Sequence, residues 1–216
     1  MLEQIKSKKS EKISVEAVQN LAQNYSHTHI DLGTGDGLFA WRLAKEKPDT
    51  FVIGIDAARE SLREGSSRAI KKPARGGTPN AIFICMNILE MPDDMVGIAD
   101  SISINYPWGS LLQAVSEPDK KVMDQFLALG KEKCHFDFYI NMQVFEDDKR
   151  REDLNLPEMN SEELMAHLIK SYSKLGLKIL SKKYIPAGGK VDVASTWAGK
   201  LTRRSKRPTL YIEAEK

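Results

Sequence analysis

Short runs rich in Val, Ile and Phe alternate along this chain with segments of helical character, and that alternation restricts the fold more than any other feature. His29-Ile30-Asp31-Leu32 reads as a strand and Leu38 to Lys47 as a helix. Phe51 to Ile55 is a second strand, followed by a helix from Arg59 to Lys72 that Pro73 stops. Ala81 to Cys85 and Ser101 to Asn105 are further strands, and a helical stretch from Asp119 to Gly130 precedes a fifth, Cys134 to Ile140. Glu162 to Leu175 is a helix ending at Gly176, with a strand after it to Tyr184 and a last one over Thr209 to Ala214. The result is an α/β expectation: a mostly parallel, seven-stranded sheet with helices on both faces. Ligands of such sheets bind beyond the carboxyl ends of the strands.

With 216 residues the chain is long enough for one substantial core, so a single domain over 1–216 is expected. Within it, 1–26 reads as a polar N-terminal extension in which Ser14 caps a short helix running to Asn24. Residues 141–160 and 185–207 read as linkers that contact substrate. No apolar stretch approaches the roughly 20 residues of a membrane helix, and Met1 to Lys12 lacks the apolar core of a signal peptide. Cys85 and Cys134 are the two cysteines and both fall in apolar runs, so reduced thiols, no metal and a cytoplasmic location are expected. The net charge of +2 says little, but its distribution is uneven. Arg68, Lys71, Lys72 and Arg75 form one acid-free cluster, and Lys200, Arg203, Arg204, Lys206 and Arg207 another. Lys149-Arg150-Arg151 is a third. One such run is commonly a solvated face; three together point to a polyanionic partner.

The first strand enters the turn Asp31-Leu32-Gly33-Thr34-Gly35-Asp36-Gly37. A dinucleotide fingerprint wants G-x-G-x-x-G and a helix N-terminus open to pyrophosphate. Here the spacing is G-x-G-x-G, and Asp31 and Asp36 would repel phosphate. They suit a cationic ligand, one with an ammonium and a sulfonium. Ile53-Gly54-Ile55-Asp56 ends the second strand, where an acid can accept from both hydroxyls of a ribose; Asp56 alone reads equally well as a helix N-cap. The fourth strand ends Asn105-Tyr106-Pro107-Trp108-Gly109, a poor place for a tryptophan to fill a core. Trp197 precedes the late basic cluster, an arrangement suited to an unstacked base with phosphates nearby.

The acidic glycine turn, the acid after the second strand and the α/β alternation together resemble the Rossmann-like class I methyltransferases, whose sheet ends in an antiparallel strand. The resemblance implies S-adenosyl-L-methionine as cofactor, held by Asp31, Gly33, Gly35 and Asp56, with Asn87 and Ile88 at its adenine. Asp31 to Gly37, Ile53 to Asp56, Lys71-Lys72-Pro73 with Gly76-Gly77, Ala99 through Gly109, and Trp197-Ala198 before a basic run are similar, in matching order, to the aminoglycoside-resistance 16S rRNA (adenine(1408)-N(1))-methyltransferases. That resemblance implies a flipped-out adenine held between Trp108 and Trp197, with Ser195 organising the site. It also implies docking on the small ribosomal subunit through Arg68, Lys71, Lys72, Arg75, Arg151, Lys200, Arg203, Arg204 and Arg207. The protein would act as a monomer, without membrane or metal.

Two departures stand out. Lys200 occupies a position where that family has arginine, and a point charge is no planar fork. Asn87-Ile88-Leu89 is bulkier and less acidic than the family's pattern. Adenine N1 carries a free lone pair at neutral pH, so the expected tasks are extrusion, alignment and tolerance of a developing cation rather than general-base catalysis. The alternatives are a tRNA (guanine-N7)-methyltransferase, an exocyclic-amine methyltransferase reading Asn105-Tyr106-Pro107-Trp108 as its loop, and a non-catalytic rRNA-binding assembly factor.

Overall fold

A computed structural model describes residues 1–189 and 207–216. In chain order the strands and α-helices are β1 (Leu2–Lys6), β2 (Lys9–Ile13), α1 (Val15–Ala22), β3 (His27–Leu32), α2 (Leu38–Glu46), β4 (Thr50–Asp56), α3 (Arg63–Ala69) and β5 (Ala81–Cys85). Then come β6 (Ala99–Asn105), α4 (Gly109–Ser116), α5 (Lys120–Leu129), β7 (Gly130–Asn141), α6 (Gln143–Glu146), α7 (Asp148–Asp153), α8 (Ser161–Lys174), β8 (Lys178–Ile185) and β9 (Thr209–Glu215). The chain divides into two compact units, Met1–Asn105 with Asp124–Phe136 and Lys216, and Tyr106–Met123 with Asp137–Glu215.

In the first unit the strands lie in the order β2-β1-β5-β4-β3-β6. β3 pairs in parallel with β4 on one side and β6 on the other, so the winding reverses at β3. Beyond the carboxyl end of such a strand the flanking crossovers diverge and leave a crevice. β3 and β4 bury nearly every side chain along their length, as strands covered on both faces must. Ile30, Leu32, Val52, Ile53 and Ile84 form the apolar interior.

The extension at the N-terminus is a β-hairpin rather than a plain arm. β1 pairs antiparallel with β2 and with β5, which brings the described strands to nine instead of the expected seven. Its apolar content is slight, Leu2 and Ile5 being buried on β1. Its turn has Ser7 at a φ of 62° in place of the usual Gly or Asn. The Ser7 amide donates to Ser66 Oγ at 3.0 Å, which docks the hairpin on α3. Ser14 caps α1, as expected, by accepting from the Ala17 amide. The helix expected over Arg59 to Lys72 shrinks to α3. Asp56 Oδ1 accepts from the Ala58 amide and turns the chain away from helix, while Pro73 opens a separate 3₁₀ turn.

In the second unit β8 and β9 pair antiparallel, so the final strand has the expected sense. α8 carries a complete capping box between Asn160 and Glu163. Its Tyr172 is buried and donates to the Val115 carbonyl at 2.8 Å. α4, α6 and α7 were not expected. The linker expected over 141–160 contains α6 and α7, the latter begun by Asp147 accepting from the Arg150 amide. Among the described residues no helix is long and apolar enough to cross a membrane.

Candidate active site

The carboxyl end of β3 is where the first unit gathers polar groups. Asp31 is only 1% exposed and sits opposite Gly54 of β4 and Ser103 of β6. Its Oδ2 accepts from Thr34 Oγ1 at 2.5 Å, and its Oδ1 from Ser103 Oγ and Asn105 Nδ2, both at 2.8 Å. Burial pushes the Asp31 carboxyl up to about 6, against those three donors and aided by the nearby charge of Asp56. Asp36 Oδ1 accepts from the Leu38 amide at the start of α2, at 2.9 Å.

The turn itself is built on left-handed glycines. At Gly35, with a φ of 57°, a Cβ would meet nothing within 4 Å, so the backbone faces open space. At Gly37 a Cβ would fall 2.5 Å from the Phe83 ring, and one on Gly65 would fall 2.7 Å from the Gly37 backbone. The Gly65 amide donates to the Asp36 carbonyl, which binds the turn to α3 at this close approach. Asp56 Oδ2 accepts from the Gly35 amide at 2.8 Å. The two acids are thus joined through the turn, and each Asp56 oxygen keeps a lone pair for a ligand hydroxyl.

Four residues here were missed in the sequence: Thr34, Ser103, Asn105 and Gly65. Ser101, Ser103 and Asn105 put polar side chains at every second position of an otherwise apolar strand, which was a legible signal. Asn105 Oδ1 is buried and accepts no hydrogen bond from the described residues. A buried carboxylate, an open left-handed glycine and an orphaned amide oxygen fit a ligand that brings cationic and N–H donors. The residues expected at the adenine follow β5. Asn87 Nδ2 donates to Glu90 Oε1 at 3.2 Å, and Ile88 opens a 3₁₀ turn with its side chain buried.

In the second unit Trp108 is 59% exposed, which rules out a core role for it. It starts α4 without a side-chain cap. Tyr106 before it adopts a φ of 51°, and its hydroxyl lies 3.2 Å from Thr209 Oγ1. Trp197, Ser195, Lys200, Arg203 and Arg204 lie outside the described residues. Arg207 is exposed.

Lys71, Lys72 and Arg75 are exposed together around the 3₁₀ turn. Arg68 pairs with Glu64 and lies 5.0 Å from the Trp41 ring centroid, while Trp41 donates to the Gly76 carbonyl. Arg151 is turned inward, its side chain 15% exposed, pairing with Asp148 and donating to the Phe145 carbonyl. The exposed cations of that cluster are Lys149 and Arg150.

A parallel sheet that reverses at β3, with an acidic glycine turn there and an acid ending β4, defines a Rossmann-like methyltransferase. The sequence profile of NpmA, a 16S rRNA (adenine(1408)-N(1))-methyltransferase, matches residues 3–216, and the chain belongs to this family. It is 32% identical over 209 residues to the Escherichia coli 16S rRNA (adenine(1408)-N(1))-methyltransferase, covering 94% of this chain and 93% of that one. The crystal structure of the aminoglycoside resistance methyltransferase NpmB1 superposes with a TM-score of 0.82 at 32% identity, covering 100% of this chain and 99% of that one. A mutant 16S rRNA (adenine(1408)-N(1))-methyltransferase from Catenulisporales acidiphilia, solved with cosubstrate SAM, gives 0.82 at 25% identity, covering 100% of this chain and 96% of that one. A tRNA (guanine-N(7)-)-methyltransferase of Streptococcus pneumoniae is 30% identical over 93 residues, covering 42% of each chain.

Proposed function

We propose that this chain transfers a methyl group from S-adenosyl-L-methionine to N1 of adenine 1408 of 16S rRNA in the assembled small subunit, giving aminoglycoside resistance. The observation that carries this is the family match over residues 3–216, with an acidic glycine turn at the switch point of its sheet. The chain works as one methyltransferase domain, a cytoplasmic monomer, with residues 141–160 and 185–207 as its substrate linkers. The tRNA alternative finds support over less than half of the chain.

When bound, S-adenosylmethionine supplies an electrophilic methyl on a sulfonium. Asp31 faces the cationic end of the cofactor, Gly33 and Gly35 let its chain approach the backbone, and Asp56 accepts from its ribose. Asn105 Oδ1 is free to accept a further N–H. Trp108 and Trp197 stack on the extruded adenine, each face recovering about 1–3 kcal/mol of the cost of leaving the helix. Ser195 orders that site. Lys71, Lys72 and Arg75, with the late cations through Arg207, take phosphates of a folded surface. The ring nitrogen attacks with its own lone pair, so no side chain need act as base.

Primer extension on small subunits treated with protein and cofactor should stop at one nucleotide of the decoding region. A stop elsewhere, or modification of tRNA instead, refutes the assignment. Asp56→Ala should weaken cofactor binding by calorimetry while the protein stays folded. Lys71→Glu with Lys72→Glu should weaken subunit binding and leave cofactor affinity intact. No cofactor binding at all would favour a non-catalytic assembly factor.

A further inference from the structure

A file of polar side chains runs along the shared face of β3 and β6 inside the first unit and ends on Asp31. His27 Nε2 lies 2.8 Å from Ser101 Oγ, and that oxygen lies 2.7 Å from His29 Nδ1. His29 Nε2 lies 2.9 Å from Ser103 Oγ, which donates to Asp31 at 2.8 Å. His29 and Ser103 are both buried, as is Asp31.

The directions of these bonds follow from their end. An ionised carboxylate only accepts, so the Ser103 proton goes to Asp31 and its oxygen is left to accept. It takes the His29 Nε2 proton and one from Asn105 Nδ2 at 3.1 Å. His29 is thereby set as the Nε2–H tautomer, and its bare Nδ1 accepts from Ser101. Ser101 in turn accepts from His27. Every dipole in the file points toward Asp31, and a chain so aligned strengthens its last bond.

We propose that Ser103 and His29 are positioning residues for cofactor binding: the file from His29 through Ser103 holds the Asp31 carboxylate charged and aimed. The proposal rests on the assignment of Asp31 to the cofactor's cationic end. Two features support it. Burial holds His29 down to about 3, so it stays a neutral donor and never brings a competing charge. Burial and Asp56 together push Asp31 toward its neutral form, so its donors are what keep it ionised near neutral pH. The titratable and charged groups facing the file are Asp56 from β4, His27 on β3, Asp100 at the start of β6, Lys131 and His135 on β7 and Lys47 after α2.

The test is calorimetry of S-adenosylmethionine binding from pH 5 to 8 on the full-length protein and on Ser103→Ala, His29→Leu, His29→Gln and Asp31→Asn. Wild-type affinity should fall about tenfold per pH unit below about 6, as Asp31 takes up a proton. Ser103→Ala should bind about tenfold more weakly at pH 7, the loss of one bond to a charged group, with its midpoint moved to higher pH. His29→Leu should shift in the same direction, and His29→Gln, which keeps an amide N–H, should recover most of the loss. Wild-type affinity and midpoint in both Ser103→Ala and His29→Leu, with weak binding by Asp31→Asn, would overturn the relay alone. Undiminished binding by Asp31→Asn would overturn the cofactor assignment beneath it. Should the variants unfold, nitrogen NMR of His29 in the wild type decides. The Nε2–H tautomer, neutral below pH 5, is expected, and the Nδ1–H tautomer refutes the polarity.

Discussion

After β3 the chain reverses through Gly33, Gly35 and Gly37, all left-handed, and the acids beside them, buried Asp31 and half-buried Asp56, are held by hydrogen bonds to the turn. After β6 the left-handed position falls to Tyr106, with φ at 51°, and the next ring but one, Trp108, faces solvent. The two exits leave neighbouring parallel strands, yet their backbones are stabilised differently. Glycine adopts positive φ at no steric cost, so the first turn is unstrained and its precision comes from hydrogen bonds and close packing. A tyrosine there costs about 1–3 kcal/mol and persists only because its surroundings determine it. Its ring packs with Tyr139 and Ile185, its amide donates to the Tyr139 carbonyl, and its hydroxyl meets Thr209. A turn that binds a small charged ligand gains from rigidity without strain. A loop that presents an aromatic face must keep that face out of the core, and a fixed, strained backbone before a proline does so.

The largest effect should come from breaking the first turn. Gly65→Ala would place a methyl 2.7 Å from the Gly37 backbone, with no flexible atom to yield. We expect a loss of about 1–3 kcal/mol, read as a fall of roughly 2–4 °C in Tm per kcal/mol, and weakened cofactor binding. A melting curve unchanged from wild type would show that the close approach carries no energy. In the second loop Trp108→Ala should do the reverse. Methylation should fall about 10–100-fold while stability moves by no more than ~0.5 kcal/mol, because the ring is exposed. Trp108→Phe should retain more activity than Trp108→Ala.

A third test uses pH to separate the engaged interior of the first turn from everything else. His29 is depressed to about 3, so the unfolded chain takes up its proton first and stability is lost as pH falls below 6.5. Asp31 is raised to about 6, so its contribution has the opposite sign, growing on acidification and lost as pH rises through 6. Between about pH 6 and 4 the two oppose each other. Denaturant unfolding of His29→Leu should therefore gain about 1.4 kcal/mol per pH unit relative to wild type as pH falls through that window. Parallel pH dependences would show that His29 titrates normally in the folded protein. The smallest effect is expected from Tyr106→Phe. It removes only the bond to Thr209, about 0.5–1.5 kcal/mol, and leaves the ring and methylation in place.

Much of the first unit was legible because the signals there are local. β5 lies where its run of Ile and Phe put it, and the other sheet strands begin or end within a few residues of expectation. The acidic turn was recognisable from its glycine spacing and the sign of its charges. The hairpin β1–β2 was not, since two buried apolar residues and a Ser turn carry no strand signal that polar coil lacks. Arg151 was placed among the RNA contacts by the family resemblance. A side chain's direction follows from the helix it sits on, and α7 points this one inward.

By itself the sequence determined the alternation, the places of Asp31 and Asp56 at the strand ends, and membership of a family, because periodicity, turn chemistry and motif order are properties of neighbours along the chain. Only the tertiary structure decided that Asp31 is buried beneath three donors, that Gly65 fits against Gly37, and that two histidines and two serines from β3 and β6 form one file. Those contacts join residues up to 74 positions apart, as His29 and Ser103 are, and strand register rather than local preference brings them into line.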